Sequence, residues 1–400
     1  MDQSRIALPR AIWALGFTSM FMDFSSESIH ALLPIYLTSV LGLSAAMLGI
    51  VEGVAEATTL AVRIFSGALS DWLGRRKLPT LIGYGLAAAT KPIFPIATTA
   101  YEIIAAHIFD RIGKGVRGAP RDALIADLAP PAQRGAAFGL RQALDTIGGV
   151  VGPLAAVGLM LASADNYRLV FALACIPAFL SVLTLAIFVP ADRATPRSAV
   201  FPLSQAAAGQ MTRGFWIVVA VGAGLSVARV AEAFLVLRAT GFGLDPAYAP
   251  FVLIGMSVVY ALVAYPAGAL ADVASPRVLV VAAIVVLALA EATLAAAQSV
   301  AIVFAGVALW GLHMALSQGL FAKLVADSAP ENLRGTAFGL FNLTGAFAIL
   351  IGNAVFGALW SARGASFAYA CAAGLALLVA LAAPLALRPN LARNLPQWRQ

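Results

Sequence analysis

Two segments of this chain, 200 residues apart, are nearly the same. Residues 126–140 read ADLAPPAQRGAAFGL, and residues 326–340 read ADSAPENLRGTAFGL. Ten of the fifteen positions are identical, among them Asp127/Asp327, Arg134/Arg334 and Gly139/Gly339. A second pair runs in step with the first, GALSDWLGRR from Gly67 and GALADVASPR from Gly268. One half of the chain repeats the other in the same order, so the fold is expected to be two parallel copies of one design.

What surrounds the repeats is apolar. Hydrophobic residues make up 61% of the 400 positions and charged residues 11%, against roughly 25% charged in soluble domains. Runs near the ~20 residues needed to cross a bilayer recur along the chain, and inside lipid such runs must be helical to satisfy their backbone. Twelve spans are predicted, near 11–40, 44–70, 78–98, 101–125, 135–162, 167–189, 214–237, 247–271, 277–296, 300–325, 335–361 and 365–387. The polar stretch 190–213 separates six from six, giving an all-α membrane protein with bundles at 1–189 and 214–388 and a tail at 389–400. The first span, interrupted by Asp23 and Glu27, does not read as a cleavable signal peptide.

The net charge of +7 is placed asymmetrically. Arg5, Arg10, Arg75, Arg76, Lys77, Arg121, Arg134, Arg193, Arg197, Arg213, Arg277, Arg334, Arg388, Arg393 and Arg399 fall on one side of the predicted spans. Little beyond Arg168, Arg238 and Arg363 falls on the other. The positive-inside rule then places both termini and the central loop in the cytoplasm, and accounts for the basicity without nucleic acid. Cys175 and Cys371 sit inside spans six and twelve and are expected to be small buried apolar residues. Neither a clustered Cys/His site nor a GxxxxGK[ST] loop occurs. No cofactor, no ATP chemistry and no enzymatic activity are therefore expected, since no nucleophile and base recur at catalytic spacing.

Three motifs are more specific. Gly67-Ala-Leu-Ser-Asp71-Trp-Leu-Gly74-Arg75-Arg76 resembles the signature between the second and third helices of the major facilitator superfamily. Its second copy keeps Gly268, Asp272 and Arg277 but loses the double arginine. Arg111-x-x-Lys114-Gly115 resembles the fourth-helix motif RxxQG of that family, with lysine for glutamine. Gly148-Gly-Val-Val-Gly152-Pro153 resembles the GxxxGP motif of its exporters. The resemblance implies twelve helices in two six-helix bundles, alternating access, and a gating and coupling set of Gly67, Asp71, Gly74, Arg75, Arg76, Arg111, Lys114, Gly148, Gly152, Pro153 and Asp272. It implies an antiporter that exports a small cytoplasmic solute against protons, acting as a monomer in the plasma (bacterial inner) membrane.

Asp23, Glu27 and His30 lie at i, i+4 and i+7 of span one, within about 60° of each other around a helix. Glu52 and Glu56 add an i, i+4 pair on span two. Carboxylates at membrane depth need a proton, a cationic partner or a bound cation. Three readings stay open: ion pairs with Arg63, Arg111, Arg141 or Arg229; a proton-coupling site; and a divalent-metal site of Asp23, Glu27 and His30, a donor set that suits borderline metals. DFSSESIHALLPIYL, with DRIGKGVRGAPRDALIAD later, is also similar to the nickel/cobalt-resistance exporters of the superfamily, although the ending ARNLPQWRQ lacks the histidines those proteins often carry there.

In the superfamily, spans one, four, seven and ten line the central cavity. By that analogy the lining candidates are Asp23, Glu27, His107, Asp110, Arg111, Arg229, Glu232, His313 and Gln318, with His107 alone reading better as a packed histidine. The leading expectation is proton-coupled export of a divalent cation such as nickel or cobalt. Export of an organic drug, transport of an anionic siderophore, and a non-transporting receptor or scaffold are the alternatives.

Overall fold

A computed structural model describes residues 8–130, 133–191, 209–328 and 334–386. Most of the expected linker (192–208), the tail and parts of both 126–140 and 326–340 lie outside these residues. The side chains of Asp71, Asp272 and Gln318 also lie outside the description. Among the described residues every regular element is helical.

We number the long helices α1 (Arg10–His30), α2 (Ala45–Leu73), α3 (Lys77–Thr90), α4 (Ala100–Leu128), α5 (Arg134–Ala162) and α6 (Tyr167–Phe188). The series continues with α7 (Arg213–Ala228), α8 (Pro250–Val273), α9 (Pro276–Ala295), α10 (Val300–Ser328), α11 (Arg334–Arg363) and α12 (Ala365–Ala386). Short pieces extend three of them: Leu33–Ile35 with a π turn at Tyr36–Val40 after α1, Ile93–Ile96 after α3, and Glu232–Thr240 after α7.

Local chemistry sets the boundaries. Gly74, at φ +62°, ends α2 in a left-handed conformation that residues with a Cβ rarely adopt. Gly364, at φ +86°, is the single residue between α11 and α12. Thr99 opens α4 with a capping box: its hydroxyl accepts from the Glu102 N–H, and the Glu102 carboxylate accepts from the Thr99 N–H at 3.0 Å. Pro92 follows Lys91 and interrupts the third span.

The chain divides into two compact units, Met1–Leu37 with Thr58–Phe201, and Thr38–Ala57 with Pro202–Gln400. Helix α2 is shared, and its first half counts with the second unit. In the first unit α1 packs on α5 and α6, and α3 on α4 and α6. In the second unit the corresponding pairs recur: α7 on α11 and α12, α9 on α10 and α12. Burial repeats in the same register, nearly residue for residue between 83–117 and 283–317. The repeat read in the sequence is thus a repeat of packing.

Nine stretches are long and apolar enough to cross a membrane, among the described residues. They correspond to spans two, five and six and to all six of the second half. Spans one, three and four fail that criterion. These three carry Asp23 and Glu27, Lys91, and Asp110, Arg111, Lys114 and Arg117.

Candidate functional site

The charges on those three helices meet inside the first unit. The repeating turns of α1 place Ser26, Glu27 and His30 toward α4, and the end of α3 brings Lys91 to the same place. Lys91 Nζ forms an ion pair with Asp110 Oδ1 at 2.9 Å and donates to Ser26 Oγ at 3.0 Å. The His30 ring lies between two carboxylates: Nε2 is 3.4 Å from Asp110 Oδ2, and Nδ1 is 3.8 Å from Glu27 Oε1. His107 stacks edge-on against His30, ring centroids 5.3 Å apart. Access is graded along this row. The Glu27 side chain keeps 31% of its surface, that of Asp110 2% and that of Lys91 none. Unpaired charges so deep would cost several kcal/mol each, so the pairing is what lets them be there at all.

A second, linked group surrounds Asp23. The charges of Asp145 on α5 and of Lys114 and Arg117 on α4 act on its carboxyl. Asp145 is itself held by Arg141, one turn away, at 2.6 Å. Arg117 is buried with its guanidinium 4.8 Å over the Tyr84 ring, and Arg121 donates to Ser19 Oγ and pairs with Asp122. Arg111 is buried beside them, and its carbonyl accepts from Thr59 Oγ1. These arginines belong to the interior of the unit, not to a lipid-facing helix end.

The exporter-like motif is a contact surface. A Cβ at Gly148 would strike the carbonyl oxygen of Met20, and one at Gly152 would meet the Phe24 carbonyl and the Ser28 nitrogen. Ser28 Oγ donates to both Phe24 O and Gly152 O, at 2.7 and 3.0 Å. Helix α5 therefore lies backbone to backbone on the stretch of α1 that carries Asp23 and Glu27. Pro153 is buried within α5. The loop signature is likewise structural: Gly67 lets α2 close on Ala119, Arg76 donates to Ser70 Oγ at 3.0 Å, and Arg76 Nε reaches Asp127 at 3.5 Å. Arg75 is exposed, and Ser70 Oγ donates to its carbonyl at 3.2 Å. This joins the two motifs that first revealed the repeat.

The other candidates of the first half are placed as follows. Glu52 and Glu56 lie on the half of α2 that counts with the second unit. There Gly49 and Gly53 of α2 abut Asn353 and Leu350 of α11, and Ala46 N–H donates to Ser361. Asp23, Glu27 and His30 do not come together as a chelate. Among the described residues no group of three His, Cys, Asp or Glu side chains is placed to hold a metal, since His30 and Lys91 take up the carboxylates. His107 is buried against His30, beside the charged row. Cys371 is exposed and Cys175 half-buried, so neither is the fully buried residue expected.

In the second unit the candidates are dispersed. Arg229 ends α7 and Glu232 begins the short helix that follows, so each charge complements the helix end beside it. The break between them is held by Asn353, at the repeat position of Pro153, whose Oδ1 accepts from Ala231 N–H at 2.7 Å. His313 is fully buried, its Nδ1 2.8 Å from the Ala283 carbonyl. Lys91 and Asp145 escaped the reading of the sequence, although a lysine inside ATKPIF and an aspartate inside span five were visible signals.

The sequence profile described as Major Facilitator Superfamily matches residues 15–235 and 214–399. An uncharacterised MFS-type transporter of Methanocaldococcus jannaschii is 27% identical over 362 residues, covering 88% of this chain and 89% of that protein. The multidrug resistance protein MdtH of Cronobacter sakazakii is 31% identical over 142 residues, 36% of this chain and 34% of its own length. Among solved structures, a peptide transporter POT in complex with sulfate superposes with a TM-score of 0.80 at 16% identity, over 96% of this chain and 95% of that one. A bacterial homologue of the human lysosomal transporter Spinster superposes with a TM-score of 0.78 at 16% identity, over 94% and 96%. Two matches to one family, one in each half of a twelve-helix repeat, make this chain a member of the Major Facilitator Superfamily, a membrane transporter and not an enzyme.

Proposed function

We propose that the protein is a proton-coupled exporter of a small organic compound, working by alternating access, and that the row Glu27–His30–Asp110–Lys91 is its proton path. The observation that carries this reading is the placement of His30, with one ring nitrogen toward each carboxylate. An imidazole so placed takes a proton on one nitrogen and releases one from the other. Glu27, partly accessible, is the entry, and Asp110, fully enclosed, is the terminus. A proton on Asp110 neutralises the partner of Lys91 and leaves Ser26 as its remaining contact. The first unit thereby changes its internal charge pairing with proton load, which is the two-state element that coupling requires.

Export is supported by the GxxxGP surface, which fixes α5 against the proton-bearing part of α1. An organic substrate is supported by the similarity to MdtH and by the absence, among the described residues, of a three-donor metal group. The test uses purified protein in vesicles with an internal pH dye. Adding substrates from an organic panel should move protons in the wild type, and Glu27→Gln should abolish the proton signal while substrate exchange without a gradient persists. Proton movement driven only by nickel or cobalt would restore the metal reading, by a siderophore the anionic one. Persistence of the signal in Glu27→Gln would remove Glu27 from the path.

A further inference from the structure

The position that holds Lys91 in the first unit is occupied in the second by Glu291, 200 residues on, in matching register. Lys91 has a partner in Asp110, whereas the corresponding position to Asp110 is Trp310. Glu291 has no surface exposed, and neither carboxyl oxygen has a hydrogen-bond partner among the described residues. The phenol of Tyr369 on α12 is in the same condition: fully buried, its Oη without a hydrogen-bond partner. The helices that carry them, α9 and α12, pack directly against each other, and the Glu291 charge acts on the Tyr369 phenol.

The surroundings exclude other solutions. Helix α9 is packed against α10 and α12. Arg238, on the short helix after α7, has its guanidinium engaged by the carbonyls of Leu294, Ala295 and Ala297 and by Ser366 Oγ. On α10 the titratable groups with described side chains are His313, bonded to Ala283 two turns away along α9, and Lys323, nearly three turns beyond His313. Tyr369 is walled by Phe356 and Trp360, with ring centroids at 4.9 and 5.9 Å. One turn beyond Glu291, space is so tight that a Cβ on Gly306 would collide with Leu294. A bare carboxylate in such a place costs far more than any packing returns.

We propose that Glu291 and Tyr369 form a second proton-binding site, in the second unit, occupied in this conformation and separate from the Glu27–His30–Asp110–Lys91 row. Its chemistry stands independently of the proposed transport reading; only its part in a transport cycle rests on that reading. Release of the proton requires α9 and α12 to part far enough for water to reach the carboxyl. The repeat thus carries an internally neutralised ion pair in one unit and a neutral acid in the other, at one structural position.

The test is infrared difference spectroscopy of the purified protein in lipid at neutral pH. Wild type should show the carbonyl stretch of a neutral carboxylic acid, absent in Glu291→Gln, an almost isosteric change, and shifted in Tyr369→Phe. Identical acid bands in wild type and Glu291→Gln would overturn the proposal. An unshifted band in Tyr369→Phe would overturn the two-residue site. The band should survive Glu27→Gln, and because the measurement needs no transport, its failure is distinct from failure of the coupling reading.

Discussion

Lys91 shows what a single residue contributes here. It lies in a span otherwise fit for lipid, and its charge is tolerated because Asp110 stands 2.9 Å away on the next helix. Removing one member of such a buried pair leaves the other uncompensated, at a cost of about 3–5 kcal/mol. Lys91→Met should therefore lower the melting temperature in detergent sharply. The double variant Lys91→Met with Asp110→Leu should recover most of the loss, and a double variant no more stable than the single would show that the pair is not what holds the residues in place. The sequence displayed the acids of α1 and α4 openly, because charge in an apolar run is conspicuous. It did not display which acid meets which base, since that depends on helix rotation and on the interruption at Pro92.

At the scale of elements, the glycines of α5 mark where helices touch. Gly148 and Gly152 face the α1 backbone, while nothing lies within 4 Å of a Cβ placed on Gly149. Gly152→Ala should destabilise by about 1–3 kcal/mol through overpacking, whereas Gly149→Ala should be neutral or slightly stabilising, as expected for glycine replaced in a helix. Thermal melts of the two variants side by side decide this, and equal effects would refute the contact. GxxxGP was readable as a packing motif from its spacing alone. Its second-half counterpart was not: Asn353 reads as a plain substitution for proline, yet it caps the interrupted seventh helix. Nor did the sequence show that α2 divides its contacts, so that Glu52 and Glu56 count with the second unit while the rest of the helix counts with the first.

For the molecule as a whole, the repeat made the fold legible before any coordinate. Span number, order and the duplicated turn all follow from it, and the helix pairings of each unit agree. Substrate identity was not legible, because the similarity in texture to metal exporters carried no donor geometry. Orientation remains an expectation of the positive-inside rule, and it is open to a direct check. Arg75, exposed at the end of α2, becomes a reporter as Arg75→Cys, in a background with Cys175 and Cys371 replaced by alanine. An impermeant maleimide should label it in inside-out vesicles and not in right-side-out ones. The reverse pattern would invert the topology.

The three helices that fall short of the length or apolarity needed to cross a membrane bear on how the protein is made. Each charge at mid-membrane adds about 2.5–3.5 kcal/mol to the insertion of a lone helix, so α1, α3 and α4 are poor passengers one at a time. Lys91 and Asp110 become acceptable to lipid once α3 and α4 enter as a hairpin with the pair formed, and α1 follows when His30 finds Asp110. Assembly of the first half must then wait, with α1 held at the insertion machinery until α4 has been synthesised, while the apolar helices of the second half can leave as they emerge.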